Sequence, residues 1–391
     1  MTEVKKVMLA FGTRPEAIKM APLVHRLKSQ PSAFDVTVCV TAQHREMLDQ
    51  VLRMFDIRPD IDLDLMRPGQ ELSDITADIL QRMKMVLANK KPDLLLVHGD
   101  TTTTLAAAMA GFYADVQVGH VEAGLRTYDM QAPFPEEFNR QVTSKIAKWH
   151  FAPTEQSRRN LIREGVHDQS IVVTGNTVID ALHWTLARIQ NDSSRADRLD
   201  ALISQFLSFD WKQDRFVLIT GHRRENFGVG IRQICEALQE LANQFGDLQF
   251  VYPLHMNPNI REPVVNLLKD IPNIHLIEPL DYEPFIYLLK HSHIVLTDSG
   301  GIQEEAPSLG KPVLVMRDVT ERPEAIASGT VELVGTNKRN IVNGVSGLIK
   351  DEAHHRKMSR SQNPYGDGNA CDRIVQTLLM ASLKKMVSDE K

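Results

Sequence analysis

Short, uninterrupted apolar runs alternate with amphipathic helical segments along this chain, and the alternation stops near the middle and starts again. Strands are expected at Val7–Phe11, Val36–Thr41, Asp93–His98, Val116–Val121, Trp149–Ala152 and Ile171–Thr174. Helices are expected between them, at Pro15–Lys28, Arg45–Phe55, Leu72–Leu87 and the Ala-rich Thr104–Tyr113. Around Arg188–Asp214 the composition turns polar, and Asn191–Arg195 reads as a loop. Strands resume at Phe216–Thr220, Leu248–Tyr252, Ile274–Ile277, His293–Thr297 and Pro312–Val315. Apolar strands separated by amphipathic helices mean parallel sheets covered on both faces. At 391 residues the chain exceeds one ordinary core. The expected fold is α/β, with two Rossmann-like domains facing across a cleft. The first covers 1–178 and takes back about 367–391, whose helix crosses to it. The second covers 179–366.

Apolar residues at 42% and charged residues at 24% suit a soluble globular protein. A net charge of −5 disfavours nucleic acid as a partner, so any anionic ligand must meet a local cluster of cations. Cys39, Cys235 and Cys371 lie far apart, without metal spacing, and read as buried thiols in a reducing cytoplasm. The start MTEVKKVMLAFG fits a first strand rather than a signal peptide, and no apolar run is long enough for a membrane. No metal or other cofactor is called for.

In open parallel sheets ligands bind beyond the strand C-termini. Polar motifs fall there in both halves: Gly12–Arg14, Gly99–Asp100, Glu122, Gly221–His222 and Asp298–Gly301. In Asp298-Ser299-Gly300-Gly301-Ile302-Gln303-Glu304-Glu305, two glycines open a helix. Glycine lets backbone N–H groups approach a phosphate, and the helix start adds positive potential. The acids one turn later suit a ribose better than a Mg-bound triphosphate. The plainer reading is a helix capped by Ser299. Arg14-Pro15-Glu16-Ala17-Ile18 recurs as Arg322-Pro323-Glu324-Ala325-Ile326. Proline followed by glutamate is ordinary helix-start chemistry, but the preceding arginine is not required for it. His222, with Gly221 before it and Arg223 and Arg224 after, reads as an anion contact. Asp100 and Glu136 have helix starts to serve, whereas Glu122 ends a strand with no helix to cap at once.

The segments Phe11–Ala17, Gly99–Thr103, Glu122–Arg126, Gly175–Thr177, Gly221–Glu225 and Asp298–Glu305 together resemble one family, the non-hydrolysing UDP-N-acetylglucosamine 2-epimerases of bacteria. The resemblance runs from Val7 to about Arg373. It implies the glycosyltransferase-B architecture, UDP-GlcNAc and UDP-ManNAc as ligands, a homodimer, and supply of ManNAc for surface polysaccharide. By this resemblance Ser299, Gly300 and Gly301 bind the diphosphate, and Glu305 takes the ribose hydroxyls. Glu304 is then a solvated or packing neighbour. Arg14, Lys19, His222 and Arg322 line the diphosphate and sugar, and Leu280 and Phe285 meet the uracil. Asp100, Glu122 and Glu136 are the sugar-side acids, with Asp100 and Glu136 transferring protons and Glu122 orienting. Some relatives bind a second UDP-GlcNAc as activator, which makes Gln43, Glu46 and His255 candidate allosteric contacts. An acid at Glu46 is unfavourable beside a diphosphate, so activation stays open. The rival expectations are a retaining glycosyltransferase, a hydrolysing epimerase releasing ManNAc, and a nucleotide-sugar sensor.

Overall fold

The structure, a computed structural model, describes residues 4–42, 45–67, 69–221 and 223–389, with the side chains of 381–389 excepted. It divides into two compact units, Met1–Ala181 with Tyr365–Lys391, and Leu182–Pro364.

The first unit runs β1 (Lys5–Phe11), α1 (Arg14–Lys28), β2 (Phe34–Val40), α2 (Arg45–Met54), β3 (Ile61–Asp62), α3 (Leu72–Lys90) and β4 (Leu94–His98). It continues with α4 (Thr102–Tyr113), β5 (Gln117–Val121), α5 (Glu136–Ile146), β6 (Trp149–Ala152), α6 (Glu155–Arg163), β7 (Ile171–Val173) and α7 (Thr177–Asn191), within which the two units divide. Its sheet has the order β3-β2-β1-β4-β5-β6-β7, with every pairing parallel. Central strands are sealed on both faces: Leu94, Leu95, Leu96 and Val97 have no exposed surface. Each such side chain contributes about 1.5–3 kcal/mol of burial free energy.

The second unit holds α8 (Ser193–Ser204), β8 (Phe216–Thr220), α9 (Val229–Gln244), β9 (Gln249–Pro253), α10 (Pro258–Leu268), β10 (Ile274–Ile277) and α11 (Tyr282–His291). After these come β11 (Ile294–Thr297), α12 (Gly300–Ser308), β12 (Val313–Val315), α13 (Pro323–Ala327), β13 (Val331–Leu333), α14 (Lys338–Lys350) and α15 (Glu352–Arg360). Its sheet is parallel in the order β10-β9-β8-β11-β12-β13. The last helix, α16 (Ala370–Asp389), belongs to the first unit. Asp180 accepts its opening N–H groups, from Ala370 at 3.2 Å and Cys371 at 2.8 Å.

The α/β class expected from the sequence holds, with one local correction. Asn191–Arg195 is not a loop: Asn191 ends α7 and Asp192 caps α8, accepting the Arg195 N–H at 3.0 Å. The polar run is N-cap chemistry rather than a break in helical structure. Both sheets switch direction between their two central strands, β1 and β4 in one unit and β8 and β11 in the other. At such a switch point the loops part and leave a crevice beyond the strand ends. The loops at these points begin at Gly12–Thr13 and Gly99–Asp100 in the first unit, and at Gly221 and Asp298–Ser299 in the second.

No helix among the described residues is long and apolar enough to cross a membrane. Cys39, Cys235 and Cys371 are free and buried.

Two buried histidines occupy facing positions on β5 and β6, His120 opposite His150. Burial holds His120 down at about 3 and His150 at about 4, against an ordinary 6.5. Below about 6.5 the unfolded chain binds protons that these side chains refuse when folded, so stability is lost as pH falls. The slope approaches about 1.4 kcal/mol per pH unit for each histidine. Thermal unfolding should therefore show Tm falling steadily between pH 6.5 and pH 4. A constant Tm over that window would contradict the burial of two neutral imidazoles.

Candidate functional site

The acids of the first unit are set by helix starts and strand ends. Thr13 caps α1 and accepts from the Glu16 N–H. The Glu16 carboxylate, 2% exposed, returns the bond: Oε2 accepts from Gly12 N at 3.0 Å and Thr13 N at 2.8 Å. Its Oε1 takes the hydroxyls of Thr101 at 2.7 Å and Thr104 at 3.1 Å. One carboxylate thus ties the loop after β1 to the loop after β4. Gly12 must be glycine, because a Cβ there would lie 1.9 Å from Thr41 Oγ1. Arg14 is the first residue of α1 and half-buried.

Lys19, one turn further along α1, pairs with Glu122 at the end of β5. Three nitrogens converge on Glu122 Oε2: Lys19 Nζ and Asn176 Nδ2 (3.3 Å) donate to it, and His98 Nε2 lies 3.1 Å away. The His98 approach is a close contact rather than a well-angled hydrogen bond. Glu122 also takes the left-handed conformation, φ 63°, which is uncommon for a residue other than glycine. Burial raises its pKa, but Lys19 and His98 beside it prevail and hold it well below the ordinary carboxylate range.

Asp100 behaves differently. It follows Gly99, whose φ of 67° turns the chain away from β4. Burial pushes its carboxyl up to about 6; Glu122 and Glu136 push the same way, while Arg140 and Lys19 oppose. Arg140 Nη1 stands 3.5 Å from Asp100 Oδ2 and also meets the buried Glu137. Glu136 is the half-buried first residue of α5. Glu137, fully buried, accepts the Thr127 and Tyr128 N–H groups at 3.0 Å each, pinning the loop before the helix.

In the second unit the loop after β11 is organised by Asp298, 1% exposed, which accepts Arg223 N at 2.9 Å and Asn226 Nδ2 at 3.1 Å. Ser299 sits at the N-cap of α12 without capping it by its hydroxyl. Its own N–H goes to Thr297 Oγ1 at 2.9 Å. The first-turn N–H groups of α12 are therefore left for a ligand. A Cβ on Gly301 would meet nothing within 4 Å, so that side of the turn is open. A Cβ on Gly300 would come 2.4 Å from Arg322 Nη1, so Arg322 lies directly across Gly300. Arg322 donates to Glu304 and Glu321, both at 2.6 Å. Glu304 is fully buried, so it is a packed ion-pair partner and not a solvated neighbour. Glu321 gathers Arg322, Arg317 at 2.7 Å and Arg223 at 3.4 Å, and its carboxyl is held at about 2: burial opposes, and Arg322 and Arg317 outweigh it. Glu305, 6% exposed, accepts from Tyr282 Oη at 2.8 Å. Leu280, in the loop before α11, and Phe285, in its first turns, are half-buried.

The repeated pentapeptide starts a helix both times, in different frames. Arg14 is inside α1, whereas Arg322 is the N-cap of α13. His222 and Gln43 lie outside the described residues. Glu46 is an exposed first-turn acid of α2. His255 is exposed beyond β9, with Nδ1 accepting from Asn257 N at 3.1 Å. Among the described residues no group of three or more His, Cys, Asp or Glu side chains is placed to hold a metal. Sequence reasoning missed Glu16, His98, Arg140 and Asn176. Asn176 and Glu16 fell within singled-out motifs, and that was their only signal.

The family model for UDP-N-acetylglucosamine 2-epimerase matches residues 25–379. The chain belongs to the UDP-N-acetylglucosamine 2-epimerase family. The chain is 60% identical over 373 residues to the Yersinia pestis enzyme of that name, covering 95% of this chain and 98% of the other. To the Escherichia coli K12 enzyme it is 57% identical with the same coverage. Among solved structures, the Neisseria meningitidis UDP-GlcNAc 2-epimerase bound to UDP-GlcNAc is similar with a TM-score of 0.88. It shares 51% identity over 96% of this chain and all of that one. The Methanocaldococcus jannaschii enzyme in complex with UDP-GlcNAc and UDP has a TM-score of 0.79 at 33% identity, covering 96% and 99%. The two-sheet layout is thus of glycosyltransferase-B type, and the family's activity is that of an isomerase.

The two acids differ in a way that spectroscopy can read. Carboxyl NMR titration should give Asp100 a midpoint near 6 while Glu122 stays ionised well below its ordinary 4.5. Coincident midpoints would contradict the geometry.

Proposed function

We propose that the chain interconverts UDP-GlcNAc and UDP-ManNAc by eliminating UDP and adding it back. The observation that carries this reading is a pair of acids at adjacent strand ends in unlike surroundings: Glu122 is bound by Lys19 and Asn176 and kept ionised, whereas Asp100 stands 3.5 Å from Arg140 and burial pushes it up to about 6. Titratable groups driven apart by their surroundings mark acid–base assignments. The C2 proton of UDP-GlcNAc has no neighbouring carbonyl to stabilise a carbanion, so direct removal by a carboxylate is too slow. If the C1–O bond breaks first, the ring gains oxocarbenium character and C2–H becomes acidic enough. The products are UDP and 2-acetamidoglucal. UDP then re-adds at C1 while a proton arrives at the opposite face of C2.

The first unit serves the sugar in this scheme. Glu122, tied to Lys19, His98 and Asn176, is a poor proton acceptor and a good fixed charge for the cationic ring. Asp100, near 6, can both take and give a proton, and Glu136 is its partner for the second face. Elimination from UDP-GlcNAc is anti and re-addition is syn, which calls for two acids or a glycal that shifts. The second unit serves UDP: Ser299, Gly300 and Gly301 receive the diphosphate, Arg322 lies across Gly300, and His222 is read as a further anion contact. Glu305 takes the ribose, and Leu280 and Phe285 take the uracil. Arg14 and Lys19 complete the cationic side. Oxocarbenium chemistry needs a stabilised leaving group, which uncapped N–H groups supply without reorganisation.

We read the reaction as cytoplasmic, a setting that suits three free thiols, and its product as material for a bacterial surface polysaccharide. A homodimer fits the apolar outer face of α3 and α4, where Met85, Phe112 and Tyr113 are exposed. Activation by a second UDP-GlcNAc has Glu46 against it, and a hyperbolic rate curve would argue the same way.

Turnover in D₂O followed by NMR tests the reaction. Deuterium at C2, with UDP-ManNAc appearing and little UDP released, is the expected result. Free ManNAc would mean hydrolysis, and no reaction without an acceptor would mean a transferase or a sensor. Asp100→Asn, Glu122→Gln and Glu136→Gln should each lower kcat about a hundredfold or more. Near-normal kcat in any of them removes that residue from the mechanism.

A further inference from the structure

The turn that presents Asp100 is gripped at three successive carbonyls. The His98 carbonyl accepts the Thr104 hydroxyl, and the Asp100 carbonyl accepts Asn139 Nδ2 at 2.8 Å. Between them, the Gly99 carbonyl lies 2.7 Å from His120 Nε2, a ring with no exposed surface. The two flanking carbonyls are held by a threonine and an asparagine, which keep no second buried donor or acceptor on a ring. Histidine is a costly choice, because its second nitrogen, Nδ1, is buried with no hydrogen-bond partner among the described residues. We propose that His120 is the positioning residue for Asp100, fixing the Gly99–Asp100 peptide plane from inside β5 through the bond from its Nε2.

Gly99 explains why such a grip is needed. With φ at 67° and nothing within 4 Å of where a Cβ would be, Gly99 contributes no side-chain packing, and the turn depends on the hydrogen bonds of its backbone. Rotation of this peptide moves the Asp100 carboxylate relative to Arg140, which stands only 3.5 Å away, and so alters both its reach and its acidity. A constant donor requires a neutral ring. Burial together with His98, His150 and Arg126 around it keeps His120 uncharged down to about 3, against which the bond to Gly99 works. An imidazolium here would also drive Asp100 downward. The groups facing Asp100 itself are Arg140, Glu122, Glu136 and Lys19.

This inference rests on Asp100 being a proton-transfer group. The test compares full-length His120→Phe, which keeps a ring without a donor, with His120→Gln, whose amide can occupy the place of Nε2. The pH profile of kcat and KM are measured for each, with UDP affinity as the check on folding. His120→Phe should lose about tenfold or more in kcat at little change in KM, and the limb near 6 should move. His120→Gln should recover most of kcat and restore the limb. Equal losses in both variants, or a normal rate and limb in His120→Phe, would overturn the proposal. If His120→Phe does not fold, His120→Gln is compared with His120→Asn, whose amide stops one bond short of the Gly99 carbonyl; equal rates would again overturn it. Normal kcat in Asp100→Asn would instead sink the reading of Asp100, leaving the two failures distinguishable.

Discussion

The contact between Lys19 and Glu122 sets the electrostatics of the first unit. A buried carboxylate stays ionised only if cations and donors reach it. Here Lys19, His98 and Asn176 all reach one oxygen of Glu122, and the charge is fixed. With that charge in place, Asp100 feels a like neighbour as well as burial, and it is driven the other way. Two acids on adjacent strand ends then differ in kind, one a permanent anion and the other a group poised to exchange a proton. Removing Lys19 would not simply delete a contact; it would merge the two behaviours.

The second unit uses its carboxylates differently. Asp298, Glu304 and Glu321 are all directed at backbone N–H groups or guanidinium groups around one turn. Their effect is to hold Arg322, Arg317 and Arg223 in place before any ligand arrives. Arginines already oriented need not lose conformational freedom when a diphosphate binds, which strengthens binding and departure alike. On the proposed mechanism that matters more than raw affinity, because UDP must leave the sugar, wait and return to the same carbon.

Much of the fold was legible in the sequence because long apolar strands carry their own signal. The exceptions are instructive. Strand β3 is two residues long and shows no pattern, β13 carries a glutamate between its two apolar residues, and α8 was hidden by the polar residues that cap it. At the site, residue types and strand ends could be read, but pairings could not. Lys19 and Glu122 are 103 positions apart, and only the strand order β1-β4-β5 brings them together. Glu16 looked like routine helix-start chemistry and is that, yet its second oxygen reaches across to Thr101 and Thr104. His98 and His120 each sit at one position of an apolar strand, where a histidine gives no hint of what it faces. The repeated Arg-Pro-Glu-Ala-Ile was visible, but the different roles of Arg14 and Arg322 depend on Glu304 and Glu321 being nearby.

The central claim is that the C1–O bond breaks before C2 inverts. UDP-GlcNAc carrying ¹⁸O in the bridge between C1 and the β-phosphorus tests it directly. Reversible release of UDP should spread the label between bridging and non-bridging β-phosphate oxygens as epimerisation proceeds. Inversion at C2 over many turnovers, with the label remaining wholly in the bridge, would contradict the account.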